Sequence, residues 1–179
     1  MICYNSYYVE GCEIEEISHR FLRVILSYSD VFSLIFFRYR QNEKTSKSAA
    51  MIKKKLAPFK LFSQDVNEWP GTKTLNERGH IYRMITYRAN IDVLPTIEEV
   101  ATLWDWDYPL FPMDPCFYKN GYAWFSVSSH EHWNKLILGK GPSFPLISDL
   151  ESIGVTLIPG KKVKCSDIYY NSKIAEMLL

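Results

Sequence analysis

The sequence predicts an α+β fold: a single domain in which helices pack on a mixed or mainly antiparallel sheet. Helical and strand periodicities alternate along the chain with no internal repeat, low-complexity tract or linker. One hairpin is explicit, at Lys119-Asn120-Gly121-Tyr122, which argues against a doubly wound parallel sheet. The length, 179 residues, suits one domain with one substantial core. The expected domain therefore spans residues 1–179, with its most flexible point in the polar loop at 41–48, QNEKTSKS.

Taken in order, Ile2 to Val9 reads as a strand rich in Tyr and Val. From Cys12 to about Ser27, Ile14, Ile17, Phe21, Val24 and Ile25 fall at helical spacing. Glu13, Glu15 and Glu16 suit the positive end of that helix. Leu34 to Phe37 are apolar on both faces of a pleat, so VFSLIFFRYR reads as a central strand. Ala49 to Leu56 reads as a short basic helix that must end before Pro58, and Phe59 to Phe62 as another strand. The Trp69-Pro70-Gly71 loop precedes a strand over His80 to Ala89. Pro95, with Thr96 and Glu99 at capping-box spacing, predicts a helix to about Trp104. Pro109, Pro112 and Pro115 are expected to forbid regular structure around them.

After the Asn-Gly hairpin, Ser128 and Glu131 stand at capping-box spacing and predict a helix to about Leu138. Pro145 to Ser152 reads as a helix capped by Gly154, Val155 to Ile158 as a strand, and Ser166 to Leu179 as a terminal helix.

Composition excludes more than it identifies. Hydrophobic residues at 47% and charged residues at 23% are near the globular norm, so disorder of the whole chain is not expected. The net charge of +1 conceals an asymmetry: eight Lys/Arg against one Glu from Arg38 to Lys60, and four acids against Lys119 from Trp104 to Trp133. Cys3, Cys12, Cys116 and Cys165 are widely spaced, with no CxxC pair, and MICYNSYYVEGC lacks the form of a signal peptide. Reduced, structural thiols in a cytoplasmic protein are expected. The most apolar stretch, Phe21 to Phe37, is interrupted by Arg23, Ser27, Ser29 and Asp30, so no membrane role is expected.

The densest candidate region is Trp104 to Trp133, which carries four of the five tryptophans beside carboxylates, prolines and two histidines. His130 and His132 could ligate a metal on a strand, but a first helical turn would set their side chains roughly 200° apart. No metal and no cofactor is expected. Asp105 and Asp107, with His130 or His132, could instead supply acid/base chemistry for a small hydrolase if burial raised a carboxylate pKa. Ser126, Ser128 and Ser129 lack the GxSxG context of a nucleophile, and Cys116 reads more simply as a small buried hydrophobe. Gly139-Lys140-Gly141-Pro142 is a turn and lacks the Walker pattern. Arg38, Arg40, Lys53, Lys54, Lys55 and Lys60 could contact nucleic-acid phosphates, against a sequence pI near 7.6 and no RNA- or DNA-binding signature.

No motif here names a reaction. The leading expectation is a non-enzymatic protein-binding module of inhibitor or immunity type. It would use Trp104, Asp105, Trp106, Asp107, Tyr108, Asp114 and His132 to occlude a basic partner such as a toxin or nuclease. The nucleic-acid and hydrolase readings are the alternatives.

Overall fold

The computed structural model describes residues 2–38, 46–73, 81–139 and 145–179. Its chain forms β1 (Cys3–Glu10), α1 (Glu15–Ser27), β2 (Val31–Arg38), α2 (Lys47–Lys55), β3 (Lys60–Val66), β4 (Glu68–Trp69) and β5 (Thr72–Lys73). Then come β6 (Ile81–Arg88), α3 (Leu94–Ile97), β7 (Met113–Lys119), β8 (Tyr122–Ser128) and β9 (Trp133–Leu138). The chain ends with α4 (Pro145–Ser152), β10 (Thr156–Pro159), β11 (Val163–Lys164) and α5 (Ser172–Met177). Nine strands make one sheet in the order β10-β1-β9-β8-β7-β2-β6-β3, with β11 on the same edge of β1 as β10. Every described strand pair is antiparallel, so the fold is α+β with an antiparallel sheet.

Alternation along the central strands separates two buried faces. On one face Phe32, Leu34, Phe36, Ile85, Tyr87, Phe117 and Phe125 meet the apolar stripes of the helices: Phe21, Leu22 and Ile25 of α1, Ile52 of α2, Ile97 of α3, and Leu146 and Leu150 of α4. Phe21 meets Phe125 edge-to-face at 5.0 Å, a geometry that adds about 1 kcal/mol to the burial itself. On the other face, among the described residues, no long helix packs. It is covered by the β4–β5 hairpin, through Trp69, and by the C-terminal segment, through Val163, Ile168 and Ile174. The candidate site lies on this second face.

Several elements depart from their expected form, each for a visible reason. α1 starts at Glu15 because Gly11, at φ +99°, turns the chain first and its carbonyl accepts from Ile14 N–H. The expected 41–48 loop is shorter at its end. Ser46 caps Ala49 N–H, so Lys47 and Ser48 already belong to α2, while 41–45 lie outside the described residues.

The expected helix from Pro95 to Trp104 is mostly absent: α3 ends at Ile97, and the working capping box is Thr102 with Asp105 on a 3₁₀ turn, not Thr96 with Glu99. The buried apolar residues from 94 to 106 are Leu94, Ile97, Val100, Leu103 and Trp106, one every third position. A three-residue period lines up along a 3₁₀-like path, whereas an α-helix would rotate it off the core by about 60° per step.

Pro115 lies inside β7, against the expected exclusion of regular structure. It follows Asp114, whose φ is +51°, at the register shift between β2 and β7, and such a bulge spares the missing N–H. The Asn-Gly turn forms as expected, with φ +49° at Asn120 and +80° at Gly121.

The helix expected from Ser128 to Leu138 is overturned. Ser129–Glu131 form one 3₁₀ turn, His132 is left-handed, and β9 then fills the slot between β8 and β1. Asn134 completes that slot, donating to the carbonyl of Val9 and accepting its N–H, both at 2.8 Å. α4 ends in a Schellman motif, with Val155 N–H on the carbonyl of Leu150 and Gly154 N–H on that of Glu151. The terminal helix shrinks to α5 because 169–171 pair with the hairpin, through Ala123 N–H to the Tyr169 carbonyl and Asn171 N–H to that of Gly121. Among the described residues no helix is long and apolar enough to cross a membrane.

Candidate functional site

The site is a cleft of about 440 Å³ on the second face of the sheet. It begins with the smallest element, the β4–β5 hairpin, two residues per strand around Pro70-Gly71. Gly71 has φ +88°, and a Cβ there would stand 2.9 Å from the Trp133 ring, so glycine is required both for the turn and for its seat on β9. The hairpin holds Trp69 nearly buried against Tyr82 of β6, ring centroids 5.0 Å apart. Tyr82 in turn meets Phe37, and Phe37 meets Tyr108 at 5.3 Å, giving an aromatic wall across the sheet. Burial pushes the Tyr82 hydroxyl pKa up.

Asp114 anchors the other side. It is 1% exposed, and both carboxylate oxygens are engaged. Oδ1 accepts Ser129 N–H at 2.9 Å, and Oδ2 accepts the Trp69 indole N–H at 2.8 Å and the Thr72 hydroxyl at 3.4 Å. Burial raises its pKa, and the charge on Asp107 adds to that. The Ser129 and Trp69 donors and the nearby His130 pull the other way. Asp114 therefore joins the β7 bulge, the hairpin and the 129–131 turn into one rigid frame. Its oxygens are spent on scaffolding, so it is poorly suited to general acid catalysis.

Around this frame, Asp107, Tyr108, Met113, His130 and Glu131 complete the lining. Asp107 follows the capped turn at 103–105, and its Oδ1 accepts Tyr108 N–H at 2.8 Å. Tyr108 precedes the cis peptide to Pro109 and is 42% exposed. His130 and Glu131 project from the 129–131 turn, and both are exposed. The cleft thus carries three carboxylates against one imidazole, and among the described residues no lysine or arginine lines it.

The structure brings together three of the sequence-predicted residues: Asp107, Tyr108 and Asp114. Trp106 is 1% exposed and belongs to the core, so its place on a binding surface is corrected: the three-residue period turns it inward. Asp105 is occupied at the capping box, where Oδ2 accepts the backbone N–H and hydroxyl of Thr102. Trp104 and His132 stack on each other at 5.3 Å and 4°, away from the cleft lining.

The expected reason for separating His130 from His132, a helical turn, does not hold. Instead the left-handed His132 sends its ring to Trp104 while His130 faces the cleft. Among the described residues no group of three or more His, Cys, Asp or Glu is placed to hold a metal ion. The hydrolase set is divided in the same way, with Asp107 and His130 at the cleft and Asp105 and His132 elsewhere.

The basic set is dispersed. Lys53, Lys54 and Lys55 are successive on α2 and so fan over about 200°. Lys53 lies over the Phe36 ring and Lys55 pairs with Glu99. Lys60 opens the edge strand β3, Arg38 ends β2, and Arg40 lies outside the described residues.

Reading the sequence alone missed Trp69, Thr72, Tyr82 and Met113, and took Glu131 only for a capping residue. The available signal was a tryptophan directly before Pro-Gly, since a large ring in a tight turn needs a surface to rest on. No protein-family model matches this chain, and no curated protein and no solved structure matches it.

Proposed function

We propose that this protein is a non-enzymatic binding module whose cleft takes a cationic side chain of a basic protein partner. One observation supports the reading above the others: carboxylates at Asp107 and Glu131 stand over walls of Trp69, Tyr82 and Tyr108, with no Lys or Arg among the described lining residues. Carboxylates attract a guanidinium or ammonium, ring faces add cation–π attraction of about 0.5–2 kcal/mol, and a preformed frame lowers the entropy lost on binding. The same acids repel phosphates, which disfavours nucleic acid at this face. Exposed Tyr108 lines the same cleft and gives a partner apolar contact. Occupying a partner's basic site in this way is how an inhibitor or immunity-type protein would act, by occlusion.

The reading is tested by NMR titration with N-acetyl-arginine amide, with the neutral isostere N-acetyl-citrulline amide as control. The arginine probe is expected to shift the Trp69 indole resonance, and citrulline to leave it unmoved. The pair Asp107→Asn and Glu131→Gln keeps each acceptor oxygen and therefore the fold, and is expected to abolish the shift with Tm unchanged. Equal shifts from both probes, or none from arginine, would sink the cation-binding reading.

A further inference from the structure

The hairpin that walls this cleft also walls a second one. Trp69, Gly71 and Thr72 line the first cleft and also a cleft of about 410 Å³ whose lining includes Glu68, Ser166, Asp167 and Tyr169. The two share a design. Each has Trp69 and tyrosine walls, at least two carboxylates, and a hydroxyl from Thr72, and neither is lined by a Lys or Arg among the described residues. Glu68 and Tyr169 both line this second cleft, so it too sets an acid beside a ring. The partition between the clefts is firm, because the Trp69 N–H is held by Asp114 and Gly71 rests on Trp133.

From this we infer that the hairpin is a saddle, and that the partner is a polypeptide segment carrying two cationic side chains, one placed on each side of it. The inference rests on the cation-binding reading of the first cleft and extends it from one charge to two. A two-stranded ribbon is about 5 Å between its strands, a partition that long Arg or Lys side chains a few residues apart on one segment can bridge. Charge complementarity selects this occupant: an acidic or neutral segment would bring nothing to pair with Glu68, Asp167, Asp107 and Glu131. Once one cation is seated, the second binds intramolecularly, and the linkage multiplies affinity without any change in the first cleft.

The test uses acetylated, amidated peptides with two arginines separated by an increasing number of glycines, against the same peptides with one arginine replaced by glutamine. At the best spacing the two-arginine peptide is expected to bind at least about tenfold more tightly, by titration calorimetry. It should also move the Trp69 and Tyr169 resonances together at one peptide per protein, whereas the one-arginine peptide needs two per protein to move both. Glu68→Gln with Asp167→Asn is expected to remove that gain, leaving the two-arginine and one-arginine peptides with the same affinity, that of the first cleft alone. A gain of only roughly twofold at every spacing, the statistical value for two equivalent groups, would refute the saddle. So would a gain that survives in the double variant. If neither peptide binds, the cation-binding reading itself falls, and the saddle falls with it.

Discussion

Asp114 combines three costs in one residue: a left-handed φ, near-complete burial, and a carboxylate held up in pKa by desolvation. What offsets them is the three hydrogen bonds that tie the bulge to the hairpin and the 129–131 turn. Its titration is therefore linked to stability. The folded pKa is raised above the unfolded value, so the folded protein binds this proton more tightly. Stability then falls as pH rises from about 3.9, the ordinary aspartate value, through the raised folded value, and stays lower above it. Asp114→Asn tolerates the left-handed backbone and removes that dependence. Urea midpoints measured from pH 4 to 7 are expected to slope downward more steeply in the wild type than in the variant. Parallel slopes would show that Asp114 does not titrate in this window.

Elements here are set by what they lie against more than by local preference. The β7–β8 turn shows both influences at once. Asn-Gly supplies the left-handed pair, and Gly121 also lets the C-terminal segment close over it, since a Cβ there would stand 2.8 Å from Tyr170 and 2.9 Å from Ala175. Gly121→Ala is expected to lower stability by about 1–3 kcal/mol, read from urea unfolding, with the loss shared between turn strain and displaced Tyr170. Elements of this kind were legible in the sequence: β1, α1, β2, β6, the hairpin and α4 each carry a periodicity or turn signal that tertiary contacts reinforce.

Where the reading failed, two signals competed. Ser128 and Glu131 have capping-box spacing, yet WNKLIL also ends in the apolar run Leu136-Ile137-Leu138, and an open slot between β8 and β1 decides for the strand. From 94 to 106 the three-residue period was present, but a capping pattern drew attention from it. Of the candidate site, Asp107, Tyr108 and Asp114 were within reach because they cluster in sequence. Trp69, Tyr82 and Thr72 were not, because only strand pairing between distant segments brings them to the same cleft.

At the scale of the whole molecule, the two sheet faces divide the labour. One is closed by helices α1 to α4 and holds the larger core. The other is closed by a short two-stranded hairpin and a thin C-terminal segment, and there the clefts open. The four cysteines report on both faces. Cys12 is buried in the helix-covered core and Cys116 beneath the C-terminal segment, and burial pushes both thiols far up, while Cys3 is exposed and Cys165 half-buried. In the native protein a thiol reagent is expected to label Cys3 and Cys165 and to spare the other two. Deleting residues 172–179 removes Ile174 from the cover of Cys116 and is expected to expose that thiol while Cys12 stays protected. Labelling of Cys12 in the deletion variant would mean that the two faces melt together.

The strand order has a consequence for how the chain is made. β1 leaves the ribosome well before its partners β9, β10 and β11, which all lie beyond residue 132. Through most of synthesis this tyrosine-rich strand has both edges open, in a sequence suited to pairing with any other strand it meets. The central strands β2, β6, β7 and β8 can assemble beforehand, whereas β1, made before them, is among the last to find its place.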